Sequence, residues 1–324
     1  MTAAAAGPVT EVVQAGGPHI PDLLARVERR LQELAAGHGA ELAIHAGATI
    51  AAGGKRLRPL LVFLAADGVA SESLVRAATA VELVHSATLV HDDVLDAAAL
   101  RRGVPTVVAS AGRGAATATG DLLFARAFAE LAANGSTNEV RVLSDASTAL
   151  AAGELAQRAD AWNAAVPVER YLRRCELKTA RLFEAACRLG ALEAGADADA
   201  LGVFGRRIGL AFQLLDDVLD VSGPASRTGK HRGTDLLDGT VTLPLILARG
   251  RDPELAAIDP RTITTPGDAE RVCDRIAATG ALDEARRRAL QIVDDARAQL
   301  PEGLSARQRH ALDLVAGGVV ARYA

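Results

Sequence analysis

Two identical acidic clusters are the residues of this chain most suited to chemistry. The sequence D-D-V-L-D occurs at 92–96 and again at 216–220. In a helix, the first and last Asp of such a cluster lie about one turn apart on one face, where like charges repel each other. A hard divalent cation such as Mg²⁺, shared with the phosphates of a substrate, would relieve that repulsion. We therefore predict six metal ligands: Asp92, Asp93, Asp96, Asp216, Asp217 and Asp220.

The simplest alternative is that both clusters are solvated helix ends that match by coincidence. Each cluster, however, follows an apolar segment and lies where a helix is expected to end. Negative charge at a helix C-terminus opposes the helix dipole, so a purely structural sequence would place Lys or Arg there. The duplication and the placement together favour a functional pair.

Basic residues follow a pair of glycines and the first acidic cluster. The segments are G-G-K-R-L-R at 53–58 and R-R-G at 101–103, and single further donors occur in K-T at 178–179 and G-K at 229–230. Arg presents a planar fork that matches phosphate oxygens, and Lys carries a mobile point charge. A ligand with a diphosphate group would explain both the acidic and the basic clusters.

Two polar residues precede the acidic clusters on or near the same helical faces. His85 lies about two turns before the first cluster and Gln213 about one turn before the second. Both are expected to face the substrate. His91, directly before the first cluster, is also typical of HD-type metal hydrolases, but the further His ligands of that chemistry are not evident in the sequence.

Helices are expected to position these residues. Hydrophobic residues make up 49% of the chain but aromatic residues only 3%, and an Ala- and Leu-rich composition favours helices over a β-sandwich or barrel. The apolar periodicity predicts long helices at about 71–96, 115–133, 138–160, 168–194 and 198–221. We therefore predict an all-α fold, with a flexible leader at 1–17 and a single domain at 18–324.

Composition also excludes several classes of protein. The formal net charge of −4 argues against a protein that coats nucleic acid. Three cysteines without CxxC spacing indicate free thiols and not a disulfide framework or a zinc site. We find no signal peptide and no apolar stretch of the roughly 18 residues needed to span a bilayer. A cytoplasmic protein without a transmembrane segment is expected.

The motifs, taken in order, resemble those of one family. The chain is similar to the trans-isoprenyl diphosphate synthases, or polyprenyl synthetases, and its first Asp-rich segment is most like the medium- and long-chain members. Five motifs carry the resemblance: G-G-K-R-L-R-P at 53–59, H-D-D-V-L-D…R-R-G at 91–103, K-T at 178–179, F-Q-L-L-D-D-V-L-D at 212–220, and G-K…D-L…T-L-P from 229 to 244.

The resemblance implies an isoprenoid-synthase helical bundle around a deep central cavity, assembled as a homodimer. It implies a prenyltransferase that condenses isopentenyl diphosphate with an allylic diphosphate, farnesyl or geranylgeranyl diphosphate, with the help of three Mg²⁺ ions. The allylic C–O bond ionises, the double bond of isopentenyl diphosphate attacks, and a proton is eliminated. The product, an all-trans polyprenyl diphosphate, is expected to be handed to a membrane.

The resemblance also implies a role for each motif. The catalytic residues would be Asp92, Asp96, Asp216, Lys178 and Lys230. The allylic diphosphate would be bound by Arg101, Lys178, Thr179 and Lys230, and Gln213 would also bind substrate. Isopentenyl diphosphate would be bound by Gly54, Lys55, Arg58, His85 and Arg102.

Product length is predicted from the residues that precede the first acidic cluster. Val84, Ala87 and Thr88 would line the path of the growing chain, and none is bulky enough to close it. Short-chain relatives commonly carry an aromatic residue there, or two extra residues inside the motif. The resemblance therefore favours a product of roughly twenty-five carbons or more, with a geranylgeranyl diphosphate synthase as the alternative. Thr240 stands where many relatives have Lys, so one phosphate contact is expected to be lost.

Three other functions remain as alternatives. A class I terpene cyclase also uses metal-bound Asp clusters, but it needs no second diphosphate site such as the one that the basic segment 53–58 indicates. A head-to-head synthase would need a pocket for two large allylic substrates. A regulatory subunit of a heteromeric synthase would usually lack intact Asp motifs, and both are intact here.

Overall fold

α-Helices form most of the chain. The computed structural model describes residues 8–37, 39–51, 53–101, 103–223 and 231–321. Within these ranges the only strands are Leu100–Arg101 and Val104–Pro105, which pair antiparallel in a short hairpin. The predicted all-α fold class is confirmed. None of the helices in the described ranges is long and apolar enough to cross a membrane.

The helices follow one another closely along the chain. Before the hairpin they are α1 (Pro8–Gly16), α2 (Ile20–Ala36), α3 (Ala40–Ala51), α4 (Leu57–Ala65) and α5 (Glu72–Leu95). The next group is α6 (Val107–Ala132), α7 (Thr137–Ala159), α8 (Val168–Cys175), a π-helical turn at Glu176–Ala180, α9 (Arg181–Ala194) and α10 (Ala198–Ser222). The last group is α11 (Thr234–Leu237), α12 (Leu243–Arg249), α13 (Pro253–Ala257), a 3₁₀ turn at Pro260–Thr262, α14 (Pro266–Ala278), α15 (Ala281–Ala298) and α16 (Ala306–Ala321).

Internal contacts divide the chain into two compact units. As far as they are described, the first comprises Met1–Ser147, Leu182–Gly205 and Leu300–Gly318. The second comprises Thr148–Arg181, Arg206–Gln299 and Val319–Ala324. Each unit carries one of the two acidic clusters.

Helix α5 forms a large part of the core of the first unit. Its N-terminus is capped by Ser71, whose hydroxyl accepts a hydrogen bond of 2.9 Å from the backbone of Leu74. It ends where the backbone amide of Asp96 donates to the carbonyl of Asp92. Most of its residues are buried, which is typical of a helix that is apolar nearly all round. The observed helix agrees closely with the predicted one at 71–96.

Glycines let neighbouring helices of the first unit approach closely. A Cβ on Gly190 in α9 would lie 2.0 Å from the carbonyl oxygen of Val62 in α4. A Cβ on Gly120 in α6 would lie 2.2 Å from Nε2 of His91 in α5. Gly190 therefore cannot carry a Cβ without a shift of the backbone, whereas a Cβ on Gly120 would displace the ring of His91. Gly120 thus packs α6 against the residue that precedes the first acidic cluster.

The expected flexible leader is wrong for most of its length. Residues Pro8–Gly16 form α1, in which Val12 is buried, and a Cβ on Gly16 would meet the side chain of Leu64 in α4. Residues 1–7 lie outside the described part of the chain. This helix could not be predicted from the sequence, because short helices gain most of their stability from tertiary packing and not from their own propensity.

The helix predicted at 168–194 is observed over the same residues, but it contains a change of helix type that was not predicted. Helices α8 and α9 are joined by the π-helical turn at Glu176–Ala180, which contains the K-T motif. Such turns are rare and frequently lie at functional sites. Helix α6 begins at Val107, earlier than predicted, with a break at Gly112, where φ is +83°.

Candidate active site

The first acidic cluster lies at the C-terminal end of α5, and its members differ in exposure. Asp93 is only 5% exposed, whereas Asp92 is partly exposed and Asp96 is exposed. The hairpin after α5 returns Arg101 to this helix, and its Nε and Nη2 atoms both lie 2.7 Å from Oδ1 of Asp93. Arg101, which we predicted to bind the allylic diphosphate, is therefore paired with the buried Asp of the cluster.

The second acidic cluster, in α10, repeats this division. Asp217 is only 4% exposed, whereas Asp216 is exposed and Asp220 is partly exposed. The buried Tyr171 donates its hydroxyl to Oδ2 of Asp217 at 2.6 Å, and Gln213 donates its side-chain amide to Oδ1 at 2.7 Å. In both clusters the second Asp is held within its unit, while the first and last keep accessible surface.

A chain of hydrogen bonds leads from Asp217 to the K-T motif. The hydroxyl of Thr179 donates to Oε1 of Gln213 at 2.6 Å, and the same Gln213 amide holds Asp217. Burial and the nearby charge of Asp235 raise the pKa of Asp217 to about 8, against the opposing effect of the bonds from Tyr171 and Gln213. The structure thus brings together Thr179 and Gln213, two residues predicted to bind substrate.

Lys178 lies in the π-helical turn, next to Thr179. Its Nζ atom is 2.5 Å from Oε2 of Glu154 in α7. A Cβ on Gly153 would lie 2.6 Å from the backbone nitrogen of Lys178, so the turn and α7 are in close contact. Burial acts to raise the pKa of Glu154, but Lys178 and Arg158 lower it overall. Glu154 was not predicted from the sequence, because only the fold brings it to Lys178.

The residues predicted to bind isopentenyl diphosphate lie in the first unit as far as they are described. They are Gly54, Lys55, Arg58 and His85. The guanidinium carbon of Arg58 lies 4.7 Å from the ring centroid of Phe183 in α9, a cation–π contact that orients the side chain. The predicted site residues outside the described ranges are Arg102 and Lys230.

Arg56, in the same loop, contacts protein carboxylates. Its guanidinium donates hydrogen bonds to Glu28 in α2 and to Glu82 in α5. A cavity of about 430 Å³ borders this group and also Gly53 and Gly54. The sequence analysis assigns no individual role to Arg56, because adjacent basic residues in a loop look alike until their partners are known.

The residues predicted to set product length differ in burial. Val84 and Ala87 are fully buried, whereas Thr88 is partly exposed and its hydroxyl donates to the carbonyl of His85 at 2.8 Å. On the facing helix α6, Phe124 stacks on the ring of His91 with 5.8 Å between centroids. An aromatic side chain therefore lies beside the start of the first acidic cluster.

The accessible carboxylates fit a hard cation that is shared with a substrate. Each cluster presents two of them about one helical turn apart, and oxygen ligands of this kind suit Mg²⁺, which keeps several waters or phosphate oxygens. No group of three His, Cys, Asp or Glu side chains in the described ranges could hold a metal ion by itself.

Comparison with known proteins assigns the chain to a family. The family model for polyprenyl synthetase matches residues 41–276. The heptaprenyl diphosphate synthase component 2 of Geobacillus stearothermophilus is 41% identical over 251 residues, which cover 75% of this chain and 78% of the relative. The octaprenyl diphosphate synthase of Escherichia coli K12 is 37% identical over 260 residues, covering 78% and 80%. The geranylgeranyl diphosphate synthase of Methanosarcina mazei is also 37% identical over 260 residues, covering 77% and 80%.

Solved structures share the fold over nearly the whole chain. The crystal structure of a polyprenyl synthase from Caulobacter crescentus CB15, complexed with calcium and isoprenyl diphosphate, superposes with a TM-score of 0.91. That protein is 36% identical in sequence, and the match covers 99% of this chain and 100% of that one. A decaprenyl diphosphate synthase from Rhodobacter capsulatus gives a TM-score of 0.89 at 33% identity, covering 98% and 100%.

The chain belongs to the polyprenyl synthetase family. The family and the enzyme class predicted from the sequence, a prenyltransferase, are confirmed. Relatives of similar identity carry the names of geranylgeranyl, heptaprenyl and octaprenyl diphosphate synthases, so these comparisons do not settle the product length.

Proposed function

We propose that this chain condenses isopentenyl diphosphate with farnesyl or geranylgeranyl diphosphate to give an all-trans polyprenyl diphosphate. Membership of the family supports the reaction class. The observation that carries the assignment of residues is the same division within both acidic clusters. Asp93 and Asp217 are buried and hydrogen-bonded, whereas the first and last Asp of each cluster remain accessible.

The accessible carboxylates are the proposed metal ligands. Asp92 and Asp96 of the first cluster and Asp216 of the second, supported by Asp220, would hold Mg²⁺ together with the allylic diphosphate, with three ions in all. When bound, the metal neutralises negative charge on the leaving diphosphate. Asp93 and Asp217 fix the orientation of their helices and support the ligands beside them.

Cationic and hydroxyl donors complete the allylic site. As the allylic C–O bond breaks, its electron pair leaves with the diphosphate, and negative charge grows on the phosphate oxygens. Lys178, Thr179 and Lys230 would donate to these oxygens, and such stabilisation of developing charge is usually the largest catalytic effect. Glu154 holds Lys178, and Gln213 holds Thr179, before substrate arrives.

The second substrate supplies the electrons for the new bond. Lys55, Arg58 and His85 would hold isopentenyl diphosphate, whose double bond provides the electron pair of the new C–C bond. A carbon of the isopentenyl unit then loses a proton to the released diphosphate. This elimination forms a double bond, so the product is again an allylic diphosphate. Apolar surroundings protect the allylic cation from water. No side-chain nucleophile is required.

We also propose a medium- or long-chain product, a homodimer and a cytoplasmic location. The absence of an aromatic residue at Val84, Ala87 and Thr88 supports the product length. A geranylgeranyl diphosphate synthase is the alternative. Light scattering of the purified chain, alone and with substrate, would measure the oligomeric state.

The reaction is tested with radiolabelled isopentenyl diphosphate. The full chain is incubated with this substrate, Mg²⁺ and either farnesyl or geranylgeranyl diphosphate, and labelled products are separated by length. We expect labelled polyprenyl diphosphates longer than the starter. Consumption of the allylic substrate without incorporation of label, with release of a hydrocarbon, would instead identify a cyclase.

The division into two diphosphate sites has its own test. Arg58→Ala should raise the KM for isopentenyl diphosphate, and Lys230→Ala the KM for the allylic substrate. Loss of one charge-assisted hydrogen bond costs about 1.5–3 kcal/mol, so each change should be roughly ten- to a hundredfold. Equal effects of either variant on both KM values would contradict the division.

A further inference from the structure

The guanidinium of Arg56 joins three helices of the first unit. Its Nη1 atom donates to Oε1 of Glu82 in α5 at 2.7 Å, and its Nε and Nη2 atoms donate to the two carboxylate oxygens of Glu28 in α2. Nη2 also donates to the carbonyl oxygen of Ile50 in α3 at 3.1 Å. The side chain of Arg56 is 10% exposed and that of Glu82 is 5% exposed. The ion pair with Glu82 is therefore largely withdrawn from water, whereas the side chain of Glu28 is 39% exposed.

The backbone at Arg56 is unusual as well. Its φ of +46° and ψ of +38° lie in the left-handed region, which a residue with a Cβ rarely adopts. Such a conformation persists only where the surrounding structure holds it, and here the side chain supplies four hydrogen bonds. Arg56 therefore cannot turn its guanidinium to a phosphate without giving up the buried ion pair with Glu82.

Arg56 and its partner Glu82 are close in sequence to the residues that are proposed to bind isopentenyl diphosphate. Lys55 directly precedes Arg56 in the loop, and Arg58 follows two residues later in α4. On the other side, Glu82 lies one helical turn before His85 on α5, a spacing that places the two side chains on one face. The ion pair between Arg56 and Glu82 therefore ties the basic loop to the helix segment that carries His85.

We propose that Arg56 is a positioning residue for the binding of isopentenyl diphosphate. It acts through Glu82 and does not contact the substrate. It fixes Lys55 and Arg58 relative to His85, so that the three converge on one diphosphate. This inference rests on the proposed function. Arg is required because its planar fork can bind two carboxylates and a carbonyl at once, whereas the ammonium of Lys is a point charge with a different geometry.

The test compares two buried carboxylates that are matched in environment. Glu82→Gln keeps the shape of the side chain and removes the charge that holds Arg56. Glu130→Gln makes the same change in α6, where Arg30 of α2 donates two hydrogen bonds of 3.0 Å to a side chain that is 3% exposed, against 5% for Glu82. Arg58→Ala serves as the control for the substrate site itself. For each variant we would measure both KM values, kcat and the unfolding temperature Tm.

We expect Glu82→Gln to raise the KM for isopentenyl diphosphate about tenfold and to leave the KM for the allylic substrate unchanged. Glu130→Gln should lower Tm about as much as Glu82→Gln does, but without changing either KM. Arg56→Lys should behave as Glu82→Gln does. If Glu82→Gln does not fold, Glu28→Gln removes the more exposed partner of the same guanidinium and is expected to act in the same direction.

Two results would overturn the inference in distinguishable ways. If Arg58→Ala raises the KM for isopentenyl diphosphate but the Glu82 and Arg56 variants act only on Tm, as Glu130→Gln does, the network is merely structural and the proposed function stands. If Arg58→Ala itself leaves that KM unchanged, the assignment of the isopentenyl diphosphate site fails, and the role of Arg56 fails with it.

Discussion

An aromatic residue one turn before the first acidic cluster should block further growth of the prenyl chain. Thr88 and Ala87 precede Asp92 by four and five residues, which corresponds to about 6 and 7.5 Å along the helix axis. A chain extended from a diphosphate at Asp92 would meet a phenyl ring there after few additions. We therefore expect Thr88→Phe and Ala87→Phe to shorten the product by several five-carbon units.

The two positions should differ in their effect on stability. Thr88 is partly exposed, so a ring there has room and Tm should change little. Ala87 has no exposed surface, so the additional atoms of Phe must displace neighbouring side chains. Overpacking of this kind costs about 1–3 kcal/mol, which corresponds to a fall in Tm of roughly 1.5–4.5 °C for a chain of this size.

The assay measures product length and stability on the same preparations. Labelled products are dephosphorylated and separated by reversed-phase chromatography, and Tm is taken from thermal unfolding followed by circular dichroism. Thr88→Val is the control, because it removes the hydroxyl without adding bulk and should leave product length unchanged. If both Phe variants fold and give the product distribution of the unmodified chain, the growing chain does not pass this face of α5, and the reasoning is refuted.

Loss of a proposed metal ligand should impair turnover without unfolding the chain. Asp92→Asn is expected to lower kcat by at least about a hundredfold with an unchanged circular dichroism spectrum. Normal turnover of this variant in Mg²⁺ would exclude Asp92 as a ligand. Burial and a hydrogen bond with a neighbouring glutamate raise the pKa of Glu139 to about 7, whereas the ordinary value is 4.5. The folded state thus binds more protons at Glu139 between these pH values. The contribution of Glu139 to the free energy of unfolding is therefore fully present below pH 4.5 and falls by about 1–3 kcal/mol as the pH rises through 7; urea unfolding of Glu139→Gln should lack this fall. Gly120→Ala should displace the ring of His91 and lower kcat about tenfold, whereas Gly114→Ala, in open space on the same helix, should keep full activity and gain about 0.5–1 kcal/mol of stability.

Long elements with a strong local signal could be predicted from the sequence. Helix α5 has a good N-cap in Ser71, helix-forming residues along its length and a predicted end within the acidic cluster, and the structure agrees to within one residue at each end. Features that depend on contacts could not be predicted in this way. Helix α1 is held by packing against α4, and the π-helical turn around Lys178 interrupts a segment whose apolar periodicity continues.

The partners of charged residues could not be predicted from the sequence either. Arg56, Arg58 and Arg101 all belong to basic segments, and their spacing alone suggested phosphate ligands for each segment. The fold gives them different environments: Arg58 lies over the ring of Phe183, while Arg56 and Arg101 are bound to carboxylates. The sequence distance between Arg56 and its partner Glu82 carries no periodic signal, so only tertiary structure reveals the pair.

The sequence by itself determined the helical class, the two acidic clusters and the family, because helix propensity and motif spacing are local properties. The spacing of D-D-V-L-D alone could not separate metal ligands from supporting residues within either cluster. Tertiary structure decided that Asp93 and Asp217 are buried and hydrogen-bonded while their neighbours stay accessible. The physical reason is that a buried carboxylate needs partners, and Arg101, Tyr171 and Gln213 become partners only when the chain has folded.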